Sequence, residues 1–441
     1  MSTLDASIVN ISLPTIVHNL HTNVSAVAWV VTAYLIVITG CLLLAGGLAD
    51  VLGQRTIYIW GFSTFTLGSC LCGLSPSIHF LVGSRVIQGL GAASLMANGT
   101  AIVSTVFPER DRGQVLGLLG SIVSAGFLTG PILGGFIVEH LGWRWVFFIN
   151  LPVGMVAILL SLKMLLKEKP ARSAKPDLWG AVLLFLFLSS LLFFLNRIGQ
   201  HENRILWGCL LVSGISLILF VRAELHSPFP LVELSLLRRR LFISSLGASL
   251  FSFCATGAHT FVLPFFLQDI LGFSPSKVGM LVFPVALTVM VMAPAGGRIS
   301  DRIGIRIPAT SGLFLISLVI FSFTFLKEGT NNFPIVLRQV LMGIGIGFFN
   351  PANNSAIIGS LPKERVGLAS SFLALARNLG LVLGVALAEM VIAFKSVHSE
   401  VGGAEGSPRL ESIHTVWTLA LFMGLVAGLL SWVRSERAPR E

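Results

Sequence analysis

The 441-residue sequence predicts an all-α integral membrane fold of fourteen transmembrane helices, with two six-helix bundles joined through two extra central helices. Three observations carry that expectation. Hydrophobic residues make up 54% of the chain and charged residues 11%, with a mean hydropathy of +0.87. A soluble domain carries about 25% charged residues, so the polar side chains here are too few to cover a globule of this size. A soluble enzyme is excluded, and fourteen spans of about 20 residues each leave no room for a catalytic or nucleic-acid-binding domain. The second observation is a ladder of apolar runs. The third is a repeat of the chain upon itself.

The runs fall at 4–19, 26–49, 56–75, 79–104, 114–138, 144–165 and 177–195, then at 205–222, 241–268, 276–297, 307–326, 333–358, 367–394 and 413–434, separated by polar or Gly/Pro breaks. The first is short. Its apolar core, Leu4 to Val17, falls below the ~20 residues of a crossing, which predicts a truncated first helix and a chain that starts upstream of Met1. Asp5 reads two ways on this account: wet if Met1 is the true start, a proton site if residues precede it. Asn10, on the same run, is a candidate cavity residue.

Runs two and three are joined by Gly46-Gly47-Leu48-Ala49-Asp50-Val51-Leu52-Gly53-Gln54-Arg55. Its glycines permit a tight turn, and Asp50 can pair with an arginine or cap the next helix, so the segment reads as an ion-paired latch. Run four holds Arg85-x2-Gln88-Gly89-x-Gly91 and Asn98. An arginine within a span is costly and faces a cavity or a partner. Run five holds Gly126-x3-Gly130-Pro131-x2-Gly134-Gly135. Small residues four apart let helices approach closely, and the proline removes a backbone bond. Glu139 at its outer edge reads as a solvated mouth residue. Run twelve carries Asn350, Asn353 and Asn354, amides that bond between helices or line a polar cavity. Run thirteen carries Arg377 and Glu389. A carboxyl well inside an apolar span can carry a proton or meet a cationic substrate. Pairing with Arg377 is the plainer alternative, although the two lie three turns apart.

The net charge of +10 reports topology rather than nucleic acid. With the even-numbered connections and the C-terminus on one side, that side holds twenty of the 30 Lys and Arg, the other side seven, and the spans Arg85, Arg338 and Arg377. Lys and Arg collect on the cytoplasmic side, which predicts both termini in the cytoplasm of a multi-pass inner-membrane protein. The five cysteines all lie in apolar stretches and read as buried apolar residues, without metal-ligand spacing.

The repeat supplies the organisation. Gly46-x3-Asp50-x2-Gly53-x-Arg55 returns as Gly297-x3-Asp301-x2-Gly304-x-Arg306, offset by 251, and Gly126-x3-Gly130 returns as Gly380-x3-Gly384, offset by 254. That shift equals about eight helices, so six helices, two extra and six related ones explain it. The predicted division is 1–170, a six-helix bundle; 171–240, two linker helices between basic loops; and 241–441, the second bundle. Parallel repeats of six mark transporters whose halves rock about a midplane site.

Together these residues resemble the major facilitator superfamily and, more closely, its 14-helix drug:proton antiporter branch. Leu4 to Ile16 is similar to that branch's first-helix motif, Gly46 to Arg55 to the superfamily's loop motif, Arg85 to Gly91 to the motif of span four, and Gly126 to Gly135 to the antiporter motif. Gly142-Trp143-Arg144-Trp145-x-Phe147-Phe148-Ile149-Asn150-x-Pro152-x-Gly154 resembles the branch's approach to span six. The resemblance implies a monomeric exporter of small hydrophobic molecules in exchange for protons, driven by the gradient with no cofactor or metal. It implies that Asp5 and Glu389 take protons or contact a cation, that Arg85 is a relay partner, that Gly130 and Pro131 serve the antiport cycle, and that Asp50 and Arg55 hold the cytoplasmic gate. Some relatives work with an adaptor and an outer-membrane channel, a partnership left open here. Few other acids lie in the spans, which favours neutral or monovalent substrates. A facilitator or importer of one metabolite is the alternative. A polytopic enzyme or receptor is remote, since the spans lack a His-Glu-x2-His, a Gly-x-Ser-x-Gly or a nucleotide loop.

Overall fold

A computed structural model describes residues 1–106, 126, 129–165, 178–197, 203–226, 239–361, 366–397 and 410–433. The described elements are helical: α1 (Ser2–Asn19), α2 (Val24–Leu52), α3 (Gln54–Gly73), α4 (Ile78–Val106), α5 (129–140), the single turn α6 (Trp145–Phe148), α7 (Asn150–Met164), α8 (Leu178–Arg197) and α9 (Asn203–His226). They continue with α10 (Arg240–Phe265), which runs into a π turn at Phe266–Ile270, then α11 (Pro275–Ile303), α12 (Arg306–Ser322), α13 (Asn332–Gly359), α14 (Val366–Val397) and α15 (Leu410–Trp432). Ten candidate spans among the described residues are long and apolar enough to cross a membrane. Helices α1, α3, α5 and α8 fall outside that set, α8 with a shorter apolar stretch, Trp179–Leu191. The expected fourteen spans therefore meet ten spans and four further helices. Helix α1 is 18 residues long, which at 1.5 Å per residue is about 27 Å, close to the thickness of a hydrocarbon core.

Helices α1 to α4, α6 and α7 pack on one another, as do α10 to α15, while α8 pairs with α9 and touches both α2 and α14. The repeat seen in the sequence is also a repeat of geometry. Helix α2 ends at Gly53 with φ +92°, its N–H bonded to the Ala49 carbonyl at 2.9 Å, and α3 starts at the next residue. Helix α11 ends at Gly304 with φ +90°, its N–H bonded to the Ser300 carbonyl at 3.0 Å, and α12 follows at Arg306. That φ is open to glycine and costly for any side chain, so both copies of the motif keep glycine there for one backbone reason.

The glycine spacing also repeats as packing. A Cβ on Gly130 would meet the Ser7 side chain at 2.7 Å, and one on Gly134 would meet Ile8 at 3.0 Å, so α5 lies directly on α1. Gly380 and Gly384, the counterparts of Gly126 and Gly130, lie on the backbone of α10 around Leu250 and Cys254. Across the seam, Gly135 on α5 faces the Pro275 carbonyl and Gly279 on α11 faces the Pro131 carbonyl. The pseudo-symmetric contact is that of α14 with α2. The five cysteines are free.

Candidate functional site

The chemistry gathers where α1, α2, α3, α4 and the α6–α7 break converge. Asp5, in the first turn of α1, is fully buried. Its Oδ2 accepts from Arg85 Nη1 at 2.6 Å, and its Oδ1 accepts from Gln88 Nε2 at 3.0 Å and from Asn150 Nδ2 at 2.9 Å. Arg85 and Gln88 lie one turn apart on α4, so both reach the same carboxylate from one helix face. The Arg85 guanidinium also donates to the Val30 carbonyl at 3.0 Å and to Gln88 Oε1, and lies 3.9 Å from the centre of the Tyr34 ring. Gln88 Nε2 donates further to Ser69 Oγ at 2.7 Å. A buried charge persists only when paired and hydrogen-bonded, and this pair is both. The wet reading of Asp5 is corrected: the side chain is in a buried ion pair, because α4 carries Arg85 over it.

In the second half Glu389 is buried, 1% exposed, on α14. Asn350 and Asn354 are half-buried on α13, as are Asn10 on α1 and Arg377 on α14. Asn353 is buried, and Asn98 is buried with its amide donating to the Ser94 carbonyl at 2.8 Å, a bond within its own helix. Gly126 lies 3.9 Å from Leu4 by its virtual Cβ, continuing the α5–α1 contact.

The two halves also meet through polar side chains at the end carrying the α1–α2 connection. Gln268 Nε2 donates to the Ile11 carbonyl at 2.8 Å, His18 Nε2 lies 3.2 Å from Asp269 Oδ1, and the Ser276 N–H donates to Glu139 Oε2 at 2.9 Å. Glu139 is therefore exposed, as expected of a mouth residue, but it caps the N-terminal turn of α11. The Ser276 side chain and backbone N–H hold its carboxyl below the usual range. At the opposite end, Arg55 donates to the Leu162 carbonyl at 2.7 Å, within its own half. Its counterpart Arg306 lies 4.1 Å from the Trp432 ring, and Asp301 is exposed. The Asp50 side chain lies outside the described residues. The described part of the predicted latch is thus an arginine bonded to a helix end in one copy and a stacked arginine in the other.

The family model described as Major Facilitator Superfamily matches residues 1–385 and, in a second match, 246–441. The chain belongs to the Major Facilitator Superfamily. It is a multi-pass membrane transporter, not an enzyme. Relatives of this transporter include a protein named riboflavin transporter RibZ from Clostridioides difficile, 33% identical over 99% of this chain and 96% of that one. An uncharacterized transporter YebQ from Escherichia coli is 38% identical over 89% of this chain and 86% of its own. The multidrug resistance protein Stp of Mycobacterium tuberculosis is 32% identical over 88% of this chain and 73% of its own. Among solved structures, an auto-inhibited POT family peptide transporter superposes with TM-score 0.69 over 100% of this chain and 97% of that one at 17% identity, a likeness of fold.

Sequence reasoning missed Asn150, Ser69 and Tyr34 as site residues. Ser69 and Tyr34 lie in apolar helices with no local mark. Asn150 had one: it is a lone amide between Phe147-Phe148-Ile149 and Pro152, a polar residue that an apolar segment keeps only with a partner.

Proposed function

We propose that this transporter exports small hydrophobic drugs or metabolites in exchange for protons by alternating access. The buried Asp5–Arg85–Gln88 network is the observation that carries the reading. A carboxylate held by an arginine deep in one half, with Glu389 buried in the other, supplies two groups whose charge a proton changes. A proton on Asp5 weakens its attraction to Arg85 and so biases α1 and α4 between two arrangements. The glycine-packed contact of α5 with α1 and α11 supports a seam at which the halves rock. The polar contacts through His18, Gln268 and Glu139 support closure on one side.

On this reading 1–170 and 241–441 are the two moving bundles, 171–240 is the inserted pair, and the chain crosses the inner membrane fourteen times. The closed side faces outward, both termini are cytoplasmic, and the transporter acts as a monomer, alone or with an adaptor and outer-membrane channel. Asp5, Arg85 and Glu389 couple to protons or contact substrate. Asn10, Gln88, Asn98, Asn350, Asn354 and Arg377 contribute cavity polarity. Gly46, Asp50, Gly53, Arg55, Asp301 and Arg306 form the cytoplasmic gate.

Proteoliposomes with an imposed pH gradient test the reading, using ethidium as a monovalent aromatic probe. Wild type moves ethidium against its gradient only when ΔpH is present. Asp5→Asn and Glu389→Gln each lose that coupling. Movement that ignores ΔpH, or that survives both substitutions unchanged, overturns the mechanism. A second reading, carriage of one specific metabolite, is favoured by the whole-chain similarity to a protein named for riboflavin transport. Riboflavin uptake that rises on expression, with no change in a drug-susceptibility panel, selects it.

A further inference from the structure

Asn150 is the first residue of α7, directly after the α6 turn and Ile149. Pro152 has no N–H to continue the ladder of α6, so the hydrogen-bond ladder is interrupted at this point while Ile149 keeps helical backbone angles. The break is held in place. Val146 and Phe147 are fully buried, Arg144 donates to the Ser75 carbonyl at 3.1 Å, and the Phe147 ring lies 5.8 Å from the Arg85 guanidinium. The only buried residues of α7 are Asn150, Gly154 and Ser161, one narrow face of a helix whose other side chains are exposed or half-buried. Gly154 and Ser161 are small, so Asn150 is the one side chain by which α7 reaches the ion pair.

Resting on the proton-coupled reading above, we infer that Asn150 is a positioning residue of the proton site: its amide ties Asp5 on α1 to the α6–α7 break and fixes the carboxylate between Arg85, Gln88 and Asn150. Asp5 Oδ1 accepts from both Asn150 and Gln88, while Oδ2 accepts from Arg85. Hydrogen bonds to a charged oxygen are roughly twice as strong as neutral ones. A proton on Asp5 therefore weakens the Asn150 bond together with the Arg85 bond, and α7 feels the event along with α4. The remaining titratable groups around Asp5 are Tyr34, Cys72 and the Met1 amine, and none of them donates to Oδ1. Among the described residues, Asn150 and Gln88 are the donors to that oxygen.

Infrared titration of the purified transporter in nanodiscs gives a first readout of this that needs no substrate. The carboxyl C=O band of Asp5 is the band lost in Asp5→Asn. Asn150→Leu removes a donor that favours the charged form, so the midpoint of that band moves alkaline by about one pH unit. Asn150→Asp, nearly isosteric, moves it further, because two carboxyls then share the site. In the Asp5→Asn background, neither substitution alters the pH profile of transport. A midpoint unchanged in both single variants overturns the inference, as does a wild-type Asp5 band that does not titrate. Shifted midpoints in a transporter indifferent to ΔpH would keep the Asn150–Asp5 tie and sink the antiport reading. Unshifted midpoints in a ΔpH-driven transporter would do the reverse.

Discussion

Asp5 and Arg85 can be taken apart from either end with different results. Removing one partner of a buried pair leaves an uncompensated charge and costs about 3 to 5 kcal/mol, whereas replacing both is far milder. Arg85→Gln is therefore expected to lower thermal stability sharply, and the double variant Asp5→Asn/Arg85→Gln to recover much of it while remaining uncoupled. Melting curves in detergent read the stability, and ΔpH-driven flux reads the coupling. Tyr34, whose ring lies 3.9 Å from the guanidinium, contributes about 1 to 2 kcal/mol at a desolvated site. Tyr34→Phe keeps that face and loses only the hydroxyl, so it is expected to retain transport. Tyr34→Leu is expected to lose part of both stability and flux.

Helix α5 lies in the seam, its glycines touching α1 on one side and α11 on the other. Gly130→Val would push side-chain atoms into Ser7, and transport is expected to fall at least tenfold with the protein still folded, measured as initial flux per mole of monodisperse transporter. Gly53→Ala and Gly304→Ala test a different property, the φ near +90° at the two equivalent turns. Each is expected to cost about 1 to 3 kcal/mol, seen as a lower melting temperature, and to similar degrees because the two turns share one geometry. The Glu139 cap on α11 gives the seam a pH dependence of known sign. Its carboxyl is held below the usual range when capped, so the cap is fully present above the ordinary carboxylate pKa and is lost as pH falls through the lowered value. Spin labels on the facing ends of α5 and α11 are expected to separate in acid. Glu139→Gln abolishes the pH response.

At the scale of the molecule, α8 and α9 join the two halves rather than sit apart from them. The Trp29 and Phe193 rings meet in a tilted contact at 5.7 Å between α2 and α8, and Gly40 on α2 leaves the space that Phe185 of α8 fills. On the other side, Leu184 and Leu188 of α8 share an apolar cluster with Phe242, Ile357 and Phe372 of the second half. On the alternating-access reading, rocking of the halves loosens one of these contacts. Gly40→Leu, which drives a side chain into Phe185, is expected to raise hydrogen exchange in α8 and to change flux, while the Asp5 network remains protected. Equal exchange in α8 before and after substitution would contradict a hinge role for the pair.

Membrane residence, superfamily and the internal repeat were legible in the sequence because they rest on period and composition: apolar runs of spanning length, Gly53 and Gly304 at matched offsets, Arg and Lys on alternate connections. Residue type also marked Asp5, Arg85, Gln88 and Glu389, since charged and amide groups inside apolar runs are costly enough to stand out singly. Which of them meet was not legible. Arg85 and Asn150 lie 80 and 145 positions from Asp5, and contact across such distances depends on how helices stack, which no local pattern encodes. Asp5 could be read as wet or as interior until α4 was seen to lie over it. Glu139 reads as a solvated residue and is exposed, but its bond to the Ser276 N–H became visible only when α11 was seen to begin beside it. The sequence determined what kinds of groups enter the membrane. Tertiary packing alone decided their partners, because in a low-dielectric interior a charge takes its character from the few atoms within about 4 Å of it.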